Sequence, residues 1–376
     1  MKLLIVTPYF YPKIGGLENY AWNFSKELQR KFNVEIIVIT ANHKDKKDII
    51  EVINGIKIYR LAPLFKVSNT PIHPLWFLKI KKIIKNEKPN VINAHTPVPF
   101  IADMASLAKM HVPFIVTYHA YSLYKYNFSF LNLIIKAYKL VENNLFRNAD
   151  KIIVVSDTII PIIPNKYKNK VIPIYNAIKQ KKEIKKYSTN NNCEIIFIGN
   201  LDKTHEWKGL LELLEAISIL AKQDKNVCLS VIGDGTNKKF YEDYVKKNNL
   251  EKNVTFFGKK EGKEKERYLQ YAKVGIIYPK SSNDAFPTVA LEYWQNKIPI
   301  IVADIKPLNS LFVDNKTAFF VEANNPVALA KAIEKVLKNE TLQNELAFWG
   351  YNEFVEKYKL ETQTDKLFAI LQEVAK

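Results

Sequence analysis

A polar segment in the last third of the chain carries several groups that could act on a phosphorylated ligand. It reads Lys-Ser-Ser-Asn-Asp-Ala-Phe-Pro-Thr-Val-Ala-Leu-Glu from 280 to 292 and lies between two apolar stretches typical of buried strands. Pro287 suits the first turn of a helix, because the missing N–H of proline costs nothing there. A helix is therefore predicted from Pro287 to about Gln295, with Thr288 and Glu292 on one face because they are four residues apart.

This segment has the layout needed to hold a nucleoside diphosphate. The N–H groups in the first turn of a helix have no partners within the helix and attract anions. These N–H groups and Thr288 are expected to bind the phosphates, and Glu292 to accept hydrogen bonds from the ribose hydroxyls. Asp284, in the preceding loop, would lie near the group attached to the last phosphate. An ordinary helix cap with an exposed Asp and Glu explains the segment equally well.

Two doubly wound α/β domains are predicted to position this segment. Short apolar strands alternate with helical patterns, an order that produces parallel sheets with helices on both faces. The polar stretch 179–192 has no apolar period and is predicted to be a linker. In the first half, strands are predicted at 2–7, 34–40, 56–61, 91–94, 114–118 and 151–155, and helices at 16–31, 74–86, 98–110, 129–147 and 157–163. In the second half, strands are predicted at 194–198, 227–232, 254–257, 274–278, 298–302 and 318–321, and helices at 208–222, 236–248, 262–271, 287–296, 326–338, 341–357 and 361–375.

Ligands of such sheets bind beyond the carboxyl ends of the strands. Gly15 and Gly16 follow the first strand and open a helix, so they either let a ligand approach the backbone or form a plain flexible turn. His95 and His119 each end a strand, where a histidine can bind a sugar hydroxyl, move a proton or be structural. Lys208 precedes a helix and could bind phosphate as a point charge. We expect the strand ends of both domains to face a shared cleft.

The composition is that of a globular protein without a membrane span. The hydrophobic share is 47%, and no run reaches the roughly 18 apolar residues that a spanning helix needs. The apolar run at the N-terminus is short and lacks a small-residue cleavage site, which favours a buried strand and a cytoplasmic location. Cys193 and Cys228 lie in predicted strands, which favours reduced core thiols, and their spacing does not suit a metal.

The positive charge is concentrated in the first half of the chain. Residues 1–180 contain 26 Lys or Arg against 11 Asp or Glu, a net charge of +15, whereas residues 181–376 contain 30 against 27, a net charge of +3. This asymmetry indicates an anionic partner, such as nucleic acid, an anionic membrane or an acidic glycan. General lysine enrichment from codon usage is the alternative. No recognisable nucleic-acid-binding motif is present, so a nucleic-acid partner is not expected.

The region from His73 to Lys88 has an apolar helical face and a lysine-rich face. Such a helix could lie in a membrane surface. A core helix with a solvated lysine face is favoured, because a single amphipathic helix that leads into a buried strand is typical of a packed domain.

In combination, these motifs resemble glycosyltransferase family 4, whose members are retaining enzymes of the GT-B fold. The resemblance covers nearly the whole chain, with the motifs in order and at sensible spacing. It is carried by Gly15-Gly16-Leu17-Glu18, Thr117-Tyr118-His119-Ala120, Asn176-Ala177 before the linker, Lys208-Gly209, and the segment from Asp284 to Glu292 with Phe286-Pro287-Thr288.

The resemblance implies an acceptor-binding domain at 1–178, the linker 179–192, a nucleotide-sugar-binding domain at 193–360, and a last helix at 361–376 that crosses back to the first domain. It implies that Asp284 contacts hydroxyls of the donor sugar, that His119 contacts the sugar near the reacting carbon, and that Glu292 holds the ribose. The implied donor-binding residues are Gly15, Gly16, Asn200, Lys203, His205, Lys208, Asp284, Phe286, Pro287, Thr288, Val289 and Glu292. The implied acceptor-binding residues are Glu18 and His95.

Two departures from the family pattern bear on activity. The first acidic residue of the 284–292 motif is Asp284 rather than Glu, and Asn200 stands where the pattern has a phosphate-binding Arg. We hypothesise that Lys203 or His205 supplies part of that positive charge. No Asp-x-Asp pair occurs, which argues for phosphate binding without a metal, and no other cofactor is expected.

The sequence therefore predicts an enzyme that moves a sugar from a UDP- or GDP-linked donor to a glycan or lipid-linked acceptor. The basic first domain is expected to receive the acceptor, with a possible peripheral contact to an anionic membrane. Two alternatives stay open at this point: a GT-B protein without catalysis that serves as a subunit of a larger complex, and a basic nucleic-acid-binding protein.

Overall fold

The computed structural model describes residues 1–13, 15–67, 70–121, 129–181, 183, 194–224, 226–281 and 286–376, and only the backbone of residues 129–135 and 137. The chain divides into two compact units. Unit 1 consists of Met1–Ala177 together with Leu360–Lys376, and unit 2 consists of Ile178–Lys359. The sequence places its domain boundaries at 178 and 360, and most of the predicted linker 179–192 lies outside the described residues.

Unit 1 is built on an eight-stranded sheet in the order β10-β9-β8-β7-β1-β2-β4-β3. Its described strand pairs are parallel except for β3 with β4 at one edge. A separate hairpin consists of β5 and β6. The strands are β1 Lys2–Thr7, β2 Glu35–Ala41, β3 Ile49–Ile53, β4 Ile56–Leu61, β5 Phe65–Val67, β6 Thr70–Ile72, β7 Val91–Thr96, β8 Phe114–Tyr118, β9 Lys151–Val154 and β10 Val171–Pro173. The helices of unit 1 are α1 Gly16–Phe32, α2 Trp76–Glu87, α3 Ile101–Ala108, α4 Ser129–Asn148 and α11 Leu360–Val374.

The central strands of unit 1 are buried on both faces, as near-continuous runs of Ile, Val and Leu require. All six residues of β7 are buried. Helix α2 buries Trp76, Ile80 and Ile84, which confirms the prediction of a core helix. The C-terminal helix α11 packs on α1, and the rings of Phe32 and Phe368 stack at 3.8 Å between centroids.

Unit 2 repeats this architecture with a six-stranded, all-parallel sheet in the order β13-β12-β11-β14-β15-β16. The strands are β11 Ile195–Ile198, β12 Leu229–Ile232, β13 Val254–Phe256, β14 Val274–Ile277, β15 Ile300–Ala303 and β16 Phe319–Val321. The helices are α5 Leu210–Gln223, α6 Lys238–Lys247, α7 Gly262–Tyr271, α8 Val289–Gln295, α9 Pro326–Lys338 and α10 Glu340–Lys357. The predicted fold class, two doubly wound α/β domains, is confirmed.

The prediction that a helix begins at Pro287 is wrong by two residues. Helix α8 begins at Val289 and has seven residues. The preceding residues form tight i→i+3 bonds instead, from the N–H of Ala290 to the carbonyl of Pro287 and from the N–H of Leu291 to the carbonyl of Thr288. A helix this short has a weak dipole, so the helix end contributes less to anion binding than the sequence suggests.

Other differences concern short elements and one cysteine. The sequence missed the edge strand β3, the hairpin β5–β6 and the three-residue strand β10, because such segments bury too little apolar surface to show a clear period. The predicted helix at 157–163 is a 3₁₀-helix over Asp157–Ile162. Cys228 is disulfide-bonded, so the expectation of a reduced thiol is wrong for this residue, and Cys193 lies outside the described residues. Among the described helices, none combines the length and apolar character needed to cross a bilayer.

Candidate functional site

Each sheet has one position where its strand order reverses direction, and ligands of doubly wound sheets bind beyond the carboxyl ends of the strands there. In unit 2 this position lies between β11 and β14, and in unit 1 between β1 and β7. The candidate residues follow these same strands. Lys208 follows β11, the 280–292 segment follows β14, Gly15 and Gly16 follow β1, and His95 is the second-last residue of β7.

The loops after β11 and β14 are joined within unit 2. A 3₁₀-helix over Lys203–Lys208 ends at Gly209, which has a left-handed φ of 76°. A Cβ atom at Gly209 would lie 1.8 Å from the carbonyl oxygen of Tyr278, so glycine is required for the two loops to meet. The N–H of Lys280 donates a 2.7 Å hydrogen bond to the carbonyl of Trp207. The fold therefore fixes Lys208 next to the start of the 280–292 segment.

A cavity at this junction brings three candidate donor-binding residues together. Lys208 reaches it along Gly199, where an added Cβ would lie 3.4 Å from Cδ of the lysine. The ammonium group of Lys208 lies 5.6 Å from the ring centre of Trp207, and no described carboxylate forms an ion pair with it. An uncompensated cation beside an apolar wall can bind an anionic group. The cavity is lined by Phe197, Ile198, Trp207, Lys208, Ile276, Ile277, Tyr278, Pro279, Pro287, Val289 and Leu308.

Glu292 has one satisfied and one unsatisfied carboxylate oxygen. Its Oε1 forms a 2.8 Å ion pair with Nζ of Lys265 on α7. Its Oε2 is buried and has no hydrogen-bond partner among the described residues. A buried carboxylate oxygen without a donor is unfavourable, and a hydroxyl group of a ligand could satisfy it.

The loop that carries Asn200, Lys203 and His205 is held by one hydrogen bond within a turn and by one to a distant loop. Oδ1 of Asn200 accepts from the N–H of Asp202 at 2.7 Å, and the N–H of Lys203 donates to Oγ1 of Thr236 at 3.2 Å. The first of these contacts engages the side-chain oxygen of Asn200 in the turn itself. The side chains of Lys203 and His205 lie outside the set that lines the cavity.

In unit 1, buried His95 contacts partly buried His119. Nε2 of His119 lies 2.9 Å from Nδ1 of His95, and the two rings stack at 5.0 Å between centroids. Burial lowers the pKa of His95 to about 3, and burial together with His95 lowers the pKa of His119 well below its usual range. Both rings are therefore neutral at pH 7, so His119 can donate or accept a hydrogen bond without carrying a charge.

Glu18 occupies the start of α1, beside the candidate glycines. A Cβ atom at Gly15 would lie 2.4 Å from Oε2 of Glu18, so the carboxylate of Glu18 folds back over the helix end. At Gly16 an added Cβ would meet no described atom within 4 Å. Glu18 is buried, and burial raises its pKa. The Glu18 carboxylate itself occupies the helix end that the sequence assigns to a ligand phosphate, which reduces the positive character of that end.

The remaining candidates lie in or near the 280–292 segment. Asp284, predicted to contact the donor sugar, lies outside the described residues. Phe286 is 3% exposed, and its ring centroid lies 5.1 Å from that of Tyr358. Its side chain therefore anchors the segment in the core of unit 2. Thr288 precedes α8 and makes no side-chain capping bond, which leaves its hydroxyl available to a ligand.

Sequence reasoning missed Lys265, the ion-pair partner of Glu292. Lys265 lies in a helix that reads Gly-Lys-Glu-Lys-Glu-Arg-Tyr-Leu-Gln-Tyr from 262 to 271, where a single lysine carries no distinguishing signal. Its pairing depends on how α7 packs beside α8, which only the tertiary structure shows. Within the described part of the chain, no group of three or more His, Cys, Asp or Glu is placed to hold a metal ion.

Comparison with known families matches both halves of the chain. A family profile described as "Glycosyltransferase Family 4" matches residues 14–181, and one described as "Glycosyl transferases group 1" matches residues 177–352. Together the two matches extend without a gap from residue 14 to residue 352.

Individual proteins show the same likeness along the whole chain. The chain is 28% identical over 367 residues to an uncharacterized glycosyltransferase of Methanocaldococcus jannaschii, covering 96% of this chain and 95% of that protein. It is 23% identical over 355 residues to the GPI3 subunit of phosphatidylinositol N-acetylglucosaminyltransferase from Saccharomyces cerevisiae, covering 89% and 75%. The crystal structure of Anabaena HepE in complex with UDP superposes with a TM-score of 0.76 at 16% identity, covering 99% and 100%.

Proposed function

Because the chain belongs to glycosyltransferase family 4 and has the two Rossmann-like domains of the GT-B fold, we propose that it transfers a sugar from a nucleoside-diphosphate sugar to a glycan or lipid-linked acceptor. The observation that carries this proposal lies within unit 2. Lys208, Pro287 and Val289 come from two separate segments and line one cavity beyond β11 and β14.

The diphosphate is proposed to bind at this cavity. Lys208 lacks a described carboxylate partner, so its charge is available to stabilise the leaving diphosphate as negative charge develops on it. Backbone N–H groups near Pro287 and the hydroxyl of Thr288 would complete the site. The HepE structure contains UDP, which supports UDP as the first nucleotide to test, with GDP as the alternative.

Catalysis is proposed to involve His119 and Asp284. A neutral His119 can hydrogen-bond a hydroxyl of the donor sugar, and His95 fixes the orientation of its ring at 2.9 Å. Transfer with retention and without a metal ion is part of the proposal, which rests here on the family. Anomeric NMR of the first-formed product would reveal an inverted linkage if retention is wrong, and activity that EDTA abolishes would contradict metal independence.

The acceptor is proposed to carry a lipid or acidic group and to bind unit 1. Besides its positive charge, unit 1 exposes apolar side chains at the β5–β6 hairpin, where Leu64 is 64% and Phe65 is 50% exposed, next to Lys66. Apolar side chains beside lysines suit the surface of an anionic membrane. The S. cerevisiae relative is by its name a transferase that acts on phosphatidylinositol, a lipid of that kind.

Donor binding can be tested by a thermal-shift screen of the whole chain with UDP, GDP and ADP, followed by calorimetry. We expect one diphosphate to raise the melting temperature, and Lys208→Met to weaken its binding about tenfold or more. Lys239→Met, which alters an exposed lysine on α6, should bind like the wild type. If none of the nucleotides binds, or if Lys208→Met binds unchanged, the donor site is wrongly placed.

The contribution of Lys203 and His205 can be measured in the same assay. At least one of the alanine variants Lys203→Ala and His205→Ala is expected to weaken diphosphate binding a few-fold, if one of these cations replaces the Arg absent at Asn200. Unchanged binding in both variants would remove these residues from the donor site.

Membrane contact can be tested by sedimentation with vesicles that contain or lack anionic lipid. We expect binding to anionic vesicles that weakens as salt increases, and about a tenfold loss in the double variant Leu64→Ser/Phe65→Ser. Leu107→Ser alters an equally exposed apolar residue on α3 and serves as the control. Binding that does not change with salt concentration, or no binding to anionic vesicles, contradicts the proposed membrane contact.

A further inference from the structure

The ion pair between Lys265 and Glu292 joins two helices of unit 2. The two residues are 27 positions apart in sequence, their charged atoms are 2.8 Å apart, and each side chain is 24% exposed. The other oxygen of Glu292 is buried without a described hydrogen-bond donor. The pair thus leaves half of the carboxylate unsatisfied.

A neighbouring lysine shows what an ordinary charge pair looks like in this region. Lys260 pairs with Glu264 at 3.2 Å, four residues along, and that glutamate is 65% exposed. Solvent satisfies the remaining oxygens of such a surface pair. The Lys265–Glu292 pair differs because it holds a partly buried carboxylate whose second oxygen is shielded from water. The described residues alone do not complete its hydrogen bonds.

The chemistry of a ribose diol fits this incomplete pair. Each ribose hydroxyl both donates and accepts a hydrogen bond, whereas a carboxylate can only accept. The ammonium group of Lys265 has three N–H donors, of which the contact to Oε1 uses one. Lys265 and Glu292 together can therefore offer both acceptors and donors to a pair of adjacent hydroxyls, which neither side chain can do alone.

We propose that Lys265 is a nucleotide-binding residue that completes the ribose site by fixing the Glu292 carboxylate and donating to a ribose hydroxyl. This inference rests on the proposed donor site and names a residue that the sequence does not single out. It assigns the recognition of the ribose hydroxyls, rather than that of the base or the phosphates, to the pair.

The test removes the Lys265 side chain by substitution and the ribose hydroxyls by use of a dideoxy nucleotide, first one at a time and then both together. Calorimetry would measure the binding of wild type and Lys265→Met to the diphosphate that binds most tightly among UDP, GDP and ADP, and to its 2′,3′-dideoxy form. We expect Lys265→Met to weaken binding of the ribose form about tenfold and that of the dideoxy form less than twofold, because the lysine acts only through the hydroxyls. Lys265→Arg should recover most of the affinity, since it keeps a donor and a charge.

Lys260→Met, on the exposed pair nearby, should bind both forms like the wild type. An equal loss for both nucleotide forms in Lys265→Met would overturn the inference, because the lysine would then act on the base, the phosphates or the fold. No loss for either form would also overturn it. A wild type that binds no diphosphate contradicts the donor site instead, so the two failures can be told apart.

Discussion

Units 1 and 2 share one architecture but prepare their strand ends for chemistry in different ways. In unit 1 the two candidate histidines, His95 and His119, are enclosed by the fold and uncharged. In unit 2 the candidate groups are charged and partly exposed, as in Lys208 and the Lys265–Glu292 pair. Burial suits a neutral hydrogen-bonding group, whereas an accessible cation suits a diphosphate. The comparison indicates that the same sheet edge can serve either purpose, depending on the side chains that follow each strand.

The glycines near the strand ends of the two units differ in whether the packing of the chain requires them. Gly209 and Gly233 of unit 2 allow close backbone contact, because an added Cβ would lie 1.8 Å from a carbonyl oxygen in both cases. Gly16 of unit 1 has open space around it, so the described fold does not require glycine there. A glycine that the packing does not need is available for the close approach of a ligand.

The largest effect should come from the unit 2 cation. Lys208→Met is expected to lower kcat/KM by about a thousandfold, because it removes the positive charge that stabilises the negative charge developing on the leaving diphosphate. Steady-state kinetics with the identified donor would measure it, with Lys239→Met as the unaffected control. A loss of less than about threefold would mean that Lys208 is not the cation by which unit 2 stabilises the diphosphate.

The glycine comparison predicts the next largest effect. Gly209→Ala should lower the free energy of unfolding by about 2–3 kcal/mol, because the new methyl group meets a carbonyl and the left-handed φ is strained. Gly16→Ala should change it by less than about 0.5 kcal/mol but reduce donor turnover, because the methyl group occupies space left for the ligand. Urea unfolding of both variants would measure the free energy of unfolding, and steady-state kinetics would measure donor turnover. Equal destabilisation by Gly209→Ala and Gly16→Ala would show that packing requires glycine equally at both positions.

The neutral histidine of unit 1 predicts a smaller kinetic effect. His119→Ala is expected to lower kcat about a hundredfold with little change in nucleotide binding, because it removes a hydrogen bond to the transferred sugar. Measuring kcat and the affinity for the free diphosphate separates the two effects. If affinity falls and kcat does not, His119 belongs with the phosphate-binding residues rather than with the reacting sugar.

The smallest expected effect is on the pH dependence of stability, which should show that the fold keeps His95 neutral. Because the pKa of His95 is lowered to about 3, this residue binds more protons in the unfolded chain than in the folded chain between about pH 6.5 and pH 3. The contribution of His95 to the free energy of unfolding therefore decreases as pH falls through that window, by up to about 1.4 kcal/mol per pH unit.

The free energy of unfolding should therefore decrease less steeply with falling pH in His95→Gln, which lacks the titrating group. Buried acids such as Glu142, whose pKa burial raises to about 6, work in the opposite direction, and comparison with the wild type cancels their contribution. Urea unfolding at pH 7, 6 and 5 would measure both slopes. Parallel curves would show that His95 is not kept neutral by the fold.

Much of the fold could be predicted from the sequence because its signals are local. Alternating apolar strands and amphipathic helices indicated two doubly wound domains, and the position of Lys208, Gly15 and His119 after strands placed them at ligand-binding edges. The start of α8 was misplaced because Pro287 is compatible with either a tight turn or a first helical turn. Local preferences alone could not distinguish these two conformations.

The sequence by itself determined the fold class and the strand ends at which the candidate residues lie, since both follow from order and spacing along the chain. Only the tertiary structure decided that His95 and His119 touch, that Lys208 shares a cavity with Pro287, and that Lys265 pairs with Glu292. These contacts join residues from different strands and helices. Their existence depends on sheet order and helix packing, which no local pattern specifies.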